Sequence, residues 1–294
     1  MMAIRNYLSL IKFSHTVFAM PFALIGFVLG VSSLQAESPY VEIEWNFYTN
    51  ILLLVVLCMV FARSAAMAFN RYLDRHFDAR NPRTALREIP AGIISANSAL
   101  WFTIVMSALF VGATWFINLL CFVLSPVALA VILGYSFTKR FTPLCHLVLG
   151  LGLSLAPIGA YLAVTGSFSL LPILFSAAVF CWVGGFDIIY ALQDEEFDKA
   201  QGLQSIPAAV GKVRALQIAR LLHAAAVLFL FTAAFAGSFG LMFSTGLAFF
   251  SGMLIYQHTL VRPDDLRRVN LAFFTTNGIA SVVFAVMVIL DILL

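Results

Sequence analysis

The sequence predicts an all-helical, polytopic membrane protein, and three observations carry that reading. The 294 residues are 62% hydrophobic and 11% charged, where a soluble domain carries about 25% charged residues. Apolar runs recur along the whole length, each near the roughly 20 residues that a helix needs to cross a bilayer. The runs are uniformly apolar rather than alternating, which excludes barrel strands and leaves a bundle of spanning helices.

Nine spans are predicted, at about 14–34, 48–70, 98–117, 119–138, 145–164, 170–191, 215–236, 239–258 and 270–292, with boundaries good to a few residues. The first follows Lys12 and runs on too long for a cleavable leader, so it reads as a retained span. A tight turn near Asn118 separates the third span from the fourth, and Gly237-Ser238-Phe239-Gly240 separates the seventh from the eighth. With nine spans every Lys and Arg falls on one side. Arg5 and Lys12 precede the first span. Arg71, Arg75, Arg80, Arg83 and Arg87 follow the second, with Arg63 in its inner half. Lys139 and Arg140 follow the fourth, Lys199, Lys212 and Arg214 the sixth, with Arg220 entering the seventh, and Arg262, Arg267 and Arg268 the eighth. The loops on the other side hold Glu37, Glu42 and Glu44. The positive-inside rule then places the N-terminus and the basic loops in the cytoplasm.

Residues 1–294 read as one domain, with no linker-like or low-complexity stretch. Cys58, Cys121, Cys145 and Cys181 lie in apolar runs without a close Cys-x-x-Cys pair and read as small core residues.

The chemistry concentrates at the inner ends of the second and sixth spans. Residues 70–78 read Asn-Arg-Tyr-Leu-Asp-Arg-His-Phe-Asp, and residues 187–198 read Asp-Ile-Ile-Tyr-Ala-Leu-Gln-Asp-Glu-Glu-Phe-Asp. Both contain Asp-x-x-Phe-Asp, four spans apart, a hint of internal duplication. On a helix Asn70, Asp74 and Asp78 share a face, Arg63 lies on the same stripe, and Asp187, Asp194 and Asp198 share another face bordered by Tyr190 and Ala191. Carboxylates in spanning segments usually mark function. Mg2+ prefers oxygen ligands and takes one or two carboxylates plus substrate phosphates. Two such acidic arms, each followed by a basic loop, predict a site for a divalent metal and a polyphosphate, in which metal and Arg or Lys stabilise the charge of a departing diphosphate. Glu195 and Glu196 read as solvated helix-end charges.

Arg83, Arg87, Lys139 and Arg140 are divided between phosphate binding and topology. Arg71, Arg75, Lys212, Arg214, Arg262, Arg267 and Arg268 are assigned mostly to topology. Arg63, about two turns inside a span, reads as a cavity-facing cation beside the acidic stripe, with snorkelling as the alternative. Lys12, Ser14 and His15 open the first span and are weak candidates for contacts to a polar substrate. No zinc or haem cluster, Ser-His-Asp arrangement or Gly-rich nucleotide loop is found.

These residues resemble the UbiA superfamily of intramembrane prenyltransferases, over essentially the full length. Asn70, Asp74 and Asp78 match its Asn-x-x-x-Asp-x-x-x-Asp motif. Arg83, Thr84 and Arg87 match Arg-Thr-x-x-Arg, and Arg63 matches an Arg seven residues before the Asn. Tyr135, Lys139 and Arg140 match Tyr-x-x-x-Lys-Arg. Asp187, Tyr190, Ala191, Asp194, Asp198 and Gly202 match the second acidic motif. Within the superfamily the chain looks most like the 4-hydroxybenzoate polyprenyltransferase branch and similar enzymes of menaquinone synthesis. It departs from common family patterns at Arg71 after the Asn, at Glu88 after Arg87, and at Gln204 before Ser205, where one phosphate contact is lost or is supplied by Lys199 or Lys212.

The resemblance implies nine helices around a central cavity in a bacterial-type inner membrane, with the active site toward the cytoplasm. The implied reaction is Mg2+-dependent transfer of a polyprenyl group from its diphosphate to 4-hydroxybenzoate or a related aromatic acid, in ubiquinone or menaquinone biosynthesis. The implied partners are polyprenyl diphosphate, the aromatic acceptor and the lipid bilayer, without nucleic acid. Asn70, Asp74, Asp78, Asp194 and Asp198 would hold metal. Arg83, Arg87, Lys139 and Arg140 would neutralise the diphosphate, and Arg63 would bind an acceptor carboxylate. Asp187 or Asp194 would orient the phenol or take a proton, and Tyr135 and Tyr190 would stabilise an allylic cation or position the diphosphate. The alternatives are other acceptors (1,4-dihydroxy-2-naphthoate, haem) and, from a different class, a transporter with an acidic coupling site. A CDP-alcohol phosphotransferase is disfavoured because the Asp-Gly-x-x-Ala-Arg signature is missing.

Overall fold

A computed structural model describes residues 2–10, 19–37 and 44–294. Lys12, Ser14, His15, Glu42 and the start of the first predicted span lie outside the described residues. The rest is helical: α1 (Met2–Leu10), α2 (Met20–Glu37), α3 (Trp45–Arg80), α4 (Ala96–Trp115), α5 (Leu119–Thr138), α6 (Cys145–Thr165), α7 (Leu170–Ala191), α8 (Glu195–Ala200), α9 (Ile206–Ala236), α10 (Leu241–Leu260) and α11 (Thr276–Leu293). No β-strand occurs among the described residues, only an isolated bridge between Arg262 and Asp265.

Among the described residues seven helices are long and apolar enough to cross a membrane; α2 counts as a shorter apolar helix, and α10 falls outside the seven. The protein is therefore an integral membrane protein. α7 lies at the centre, packed against α6 on one side and α9 on the other. Its neighbours meet in an aromatic core in which Trp182 touches Phe22, Phe186 and Phe250, and Phe284 joins Phe22, Phe175, Phe243 and Phe250. Such ring pairs add about 0.5–1.5 kcal/mol each beyond their burial.

Two local features explain how the helices come this close. A Cβ on Gly26 would sit 2.0 Å from the Pro157 carbonyl oxygen, so only glycine lets α2 lie against α6. The predicted turn at Asn118 is a side-chain clamp. Its Oδ1 accepts from Cys121 N at 2.8 Å, capping α5, while Nδ2 donates to Leu162 O at 2.8 Å, tying the turn to α6.

Three expectations change. α3 is one 36-residue helix from Trp45 to Arg80, so the first acidic cluster is the continuation of a span and lies on one helical face as predicted. The second cluster is not one helix: α7 ends at Ala191, a 3-10 turn covers Leu192–Asp194, and α8 starts at Glu195. The break redirects Asp194 and Asp198, so they do not share a helical face with Asp187. The seventh span begins early, at Ile206, with a break at Gly211 (φ 78°, ψ 163°), a conformation that favours glycine. Lys212 and Arg214 thus stand on a helix rather than in a loop.

Candidate active site

Both acidic arms arrive at the same end of the bundle, around a polar cavity of about 220 Å3. Its wall includes Asn70, Asp74 and Asp78 from α3, Asn81, Arg83 and Arg87 from the following loop, Tyr135 and Lys139 from the end of α5, His146 from the start of α6, and Asp187, Tyr190 and Asp194 from the end of α7 and its 3-10 turn.

The predicted acids and bases are matched one to one. Arg83 grips Asp194 through Nη2–Oδ2 at 2.5 Å and Nε–Oδ1 at 3.1 Å. Arg87 Nη1 meets Asp78 Oδ1 at 2.6 Å, Lys139 Nζ meets Asp198 Oδ1 at 2.7 Å, and Arg140 Nη2 meets Asp74 Oδ1 at 3.2 Å. Within the first arm, Asn70 Nδ2 donates to Asp74 Oδ2 at 3.0 Å. Burial opposes the charge of Lys139, but the adjacent Asp198 outweighs it and holds the ammonium above the ordinary lysine value. Arg83 is likewise raised: burial opposes its charge and Asp194 more than restores it.

Not every predicted residue reaches the wall. Asp198 is fully buried behind Lys139 and accepts from Ser205 Oγ at 2.9 Å. Arg140 stands outside the wall, braced on Leu73 O at 2.9 Å as well as Asp74. Arg63 lies away from the polar cavity and lines an apolar one of about 440 Å3, formed chiefly by α3, α5 and α6. Its Nε is buried and hydrogen-bonds no described residue. Tyr135 and Leu149 line both cavities and so stand between them. Arg71, read from the sequence as a topology residue, is instead buried at 5% exposure, because the helix turns it into the protein. Lys199 is held by Glu195 at 2.6 Å, and neither it nor Lys212 lines the cavity.

Three participants escaped the sequence reading. Asn81 donates to Asp194 Oδ1 at 3.3 Å and, through its Oδ1, accepts from Arg83 N at 3.0 Å, which fixes the loop that carries the arginine. Ser205 supports Asp198. His146 pairs with Asp187 at 2.7 Å. Asn81, directly before Pro82 and between the matched motifs, offered a faint turn signal; a lone histidine offered none.

The residues fit a metal with phosphate ligands better than a closed protein cage. Among the described residues no three His, Cys, Asp or Glu side chains converge into a ready metal cluster. Asp78 Oδ2, however, is buried without a hydrogen bond, a hard oxygen in the right place, and Mg2+ ordinarily needs only one or two carboxylates beside substrate phosphates.

The fold and the site define a class: an integral membrane enzyme that handles molecules with an anionic head and an apolar body. The UbiA prenyltransferase family model matches residues 16–279, and the chain belongs to that family. It is 32% identical over 238 residues to a 4-hydroxybenzoate octaprenyltransferase of Nitrosomonas europaea, covering 80% of each chain. The apo structure of a UbiA homolog from Aeropyrum pernix superposes with a TM-score of 0.81 at 32% identity, over 95% of this chain and 98% of that one. A UbiA homolog from Archaeoglobus fulgidus bound to DMAPP and Mg2+ shares the fold with a TM-score of 0.73 at 22% identity, over 98% of this chain and 99% of that one. Membership of the prenyltransferase family sets the transporter reading aside.

Proposed function

We propose that the chain transfers a polyprenyl group from its diphosphate to an aromatic acceptor, 4-hydroxybenzoate or a related aromatic acid, with Mg2+ bound beside the diphosphate. The observation that carries this is the set of four acid–base pairs at and beside a polar cavity that shares Tyr135 and Leu149 with a neighbouring apolar one. A prenyl diphosphate has this division of polarity. The names of the relatives point the same way.

Asn70, Asp74 and Asp78 on one arm, with Asp194 and Asp198 on the other, would hold the metal, which when bound supplies electrostatic stabilisation to the departing diphosphate. Arg83, Arg87, Lys139 and Arg140, exchanged from their aspartates, bind the phosphate oxygens; the planar guanidinium matches them bidentately. Tyr190 offers its ring as a seat for positive charge, since Arg83 already lies over it at 5.4 Å. Tyr135, at the junction, faces the place where the head meets the tail, and both rings favour a developing allylic cation. Arg63, a half-buried side chain just beyond Tyr135 on the apolar cavity's wall, suits the carboxylate of an aromatic acid. The prenyl tail lies in the apolar cavity. We further place nine spans in a bacterial-type inner membrane, N-terminus and polar cavity toward the cytoplasm, on the strength of the Lys and Arg distribution.

The test is transfer by purified protein in lipid, with Mg2+, a polyprenyl diphosphate, and 4-hydroxybenzoate or 1,4-dihydroxy-2-naphthoate offered separately. Prenylation of one acceptor, abolished by a chelator and in Asp74→Ala, is the expected result. A folded protein that neither binds the diphosphate with metal nor prenylates any acceptor would refute the proposal.

A further inference from the structure

Prenyl transfer through these residues leaves His146, on the wall of the polar cavity, without a role. His146 is 3% exposed, on the first turn of α6, and touches two other elements. Its Nδ1 lies 2.7 Å from Asp187 Oδ2 on α7. Its Nε2 lies 3.4 Å from the backbone N–H of Ile206, the first residue of α9.

The partners decide the tautomer. A backbone N–H can only donate, so Nε2 must offer a lone pair to Ile206. The proton then sits on Nδ1 and is donated to Asp187. A helix N-terminus carries positive partial charge and disfavours a cation, so the first turn of α6 also favours the neutral ring. His146 is thereby fixed as a neutral donor that holds Oδ2 of Asp187.

The consequence falls on Asp187 Oδ1. Among the described residues Asp187 has no hydrogen-bond partner other than His146, and its side chain keeps 22% exposure on the cavity wall. Asp194, the other acid considered for proton transfer, has both oxygens taken by Arg83 and Asn81, and with substrate bound it would be a metal ligand in the reading above. A carboxylate committed to a guanidinium or to a metal is a poor base, whereas Asp187 keeps one oxygen uncommitted.

We propose that His146 is a positioning residue for prenyl transfer: its neutral ring holds Asp187 Oδ2 and so presents Oδ1 as the base that takes the proton from the aromatic ring carbon being alkylated. The proposal rests on the prenyl-transfer reading. In the step, the C1–O bond of the prenyl diphosphate breaks and its electron pair leaves with the diphosphate. A π pair of the acceptor ring forms the new C–C bond to C1. The proton on that ring carbon passes to Asp187 Oδ1, and the C–H pair restores the aromatic ring. The proton later leaves Asp187 to water.

The same histidine ties this base to the phosphate side of the site. Ile206 follows Ser205, which supports Asp198, and Gln204 N donates to Lys139 O at 2.7 Å. Through Ile206, His146 sets Asp187 against the segment that anchors Lys139 and Asp198.

Two substitutions separate the contacts. His146→Asn puts an amide N–H near the place of Nδ1 and keeps the donor to Asp187. His146→Gln reaches the place of Nε2 and loses that donor. Turnover is measured in lipid with 4-hydroxybenzoate or whichever acceptor the wild type prenylates, alongside metal-dependent binding of the diphosphate. We expect H146Q to lower kcat about tenfold or more, part of the 10²–10⁴ that a general base supplies. Its KM for prenyl diphosphate and its diphosphate binding should stay within about twofold of wild type, and H146N should retain kcat within about threefold. Wild-type kcat in H146Q, or an equal fall in folded H146N and H146Q, would overturn the proposal. ¹⁵N-histidine NMR of the wild type gives a test that needs no active variant, the variants serving only to assign the signal. An unprotonated Nε2 supports the assignment, and an Nε2–H or an imidazolium at His146 overturns it. A wild type that prenylates no acceptor would overturn the parent reading as well, and so is distinguishable from failure of the histidine's role alone.

Discussion

Metal and diphosphate should bind this protein cooperatively, and the pairing of its acids with its bases sets how strongly. A metal ion arriving alone competes with Arg87 and Arg83 for the charge of Asp78 and Asp194, even where it uses the unpaired Oδ2 of Asp78. A diphosphate arriving alone must take the same arginines away from the same aspartates. Arriving together, they break those pairs once. The two arginine side chains are 25% and 33% exposed, so each pair is discounted for solvent to about 0.5–1 kcal/mol. Sparing two pairs gives a coupling of about 1–2 kcal/mol, or roughly 5–30-fold in affinity, within the range usual for linked sites. The assay is calorimetric titration of Mg2+ into the protein in lipid nanodiscs, with and without an unreactive prenyl diphosphonate. The reverse titration must give the same factor, since linkage is reciprocal. Affinities unchanged within twofold in both directions would show that the pairs do not stand between the ligands and the site, and would refute the reasoning.

Three further outcomes follow from the structure. Gly26→Ala should destabilise the fold by about 1–3 kcal/mol, read as a lower Tm, because the new Cβ falls 2.0 Å from Pro157 O. Asp291→Ala should cost about 1–2 kcal/mol, while leaving kcat per folded molecule unchanged. Asp291 accepts from Gly240 N, Met242 N and Phe243 N at 2.6, 3.0 and 3.1 Å and caps α10 far from the polar cavity. The folded-state pKa of Lys139 is raised, so the stability its pair with Asp198 contributes is fully present below the unfolded lysine value of about 10.4 and fades only above it. Lys139→Met should therefore lower Tm at pH 7, where the pair is intact in the wild type and the variant leaves Asp198 buried without its counter-charge; an unchanged Tm would contradict the assignment.

Local signals in the chain carried much of the site. Asn70, Asp74 and Asp78 repeat every four residues, so their shared face is legible from spacing alone, and α3 delivers it. Arg83, Arg87, Lys139 and Arg140 were legible from residue type and place as bases beside the acidic arms, divided between phosphate binding and topology. Their pairing with particular aspartates was not, because Arg83 finds Asp194 across 111 residues and no local pattern encodes that distance. The i, i+7, i+11 spacing of Asp187, Asp194 and Asp198 misled, since spacing assumes an unbroken helix and the turn at Leu192–Asp194 breaks it. His146 was invisible for the opposite reason: an isolated residue has no period, and its role exists only where α6, α7 and α9 meet. Arg63 was read correctly as cavity-facing, but two turns along α3 are enough to put it in the other cavity.

The length of α3 has a consequence for where the chemistry happens. Thirty-six residues rise about 54 Å, against a hydrocarbon thickness of about 30 Å. If Trp45 marks one interface, the hydrocarbon ends near Ala65, and the stretch from Asn70 to Asp78 rises past it into the headgroup layer and the water beyond. The aspartates then never meet the full solvation penalty of the bilayer interior. Diphosphate can then depart into the aqueous phase, while a prenylated product would keep its tail in the leaflet. Such a protein works as a boundary catalyst, with the oil–water interface itself aligning the substrate before any side chain touches it.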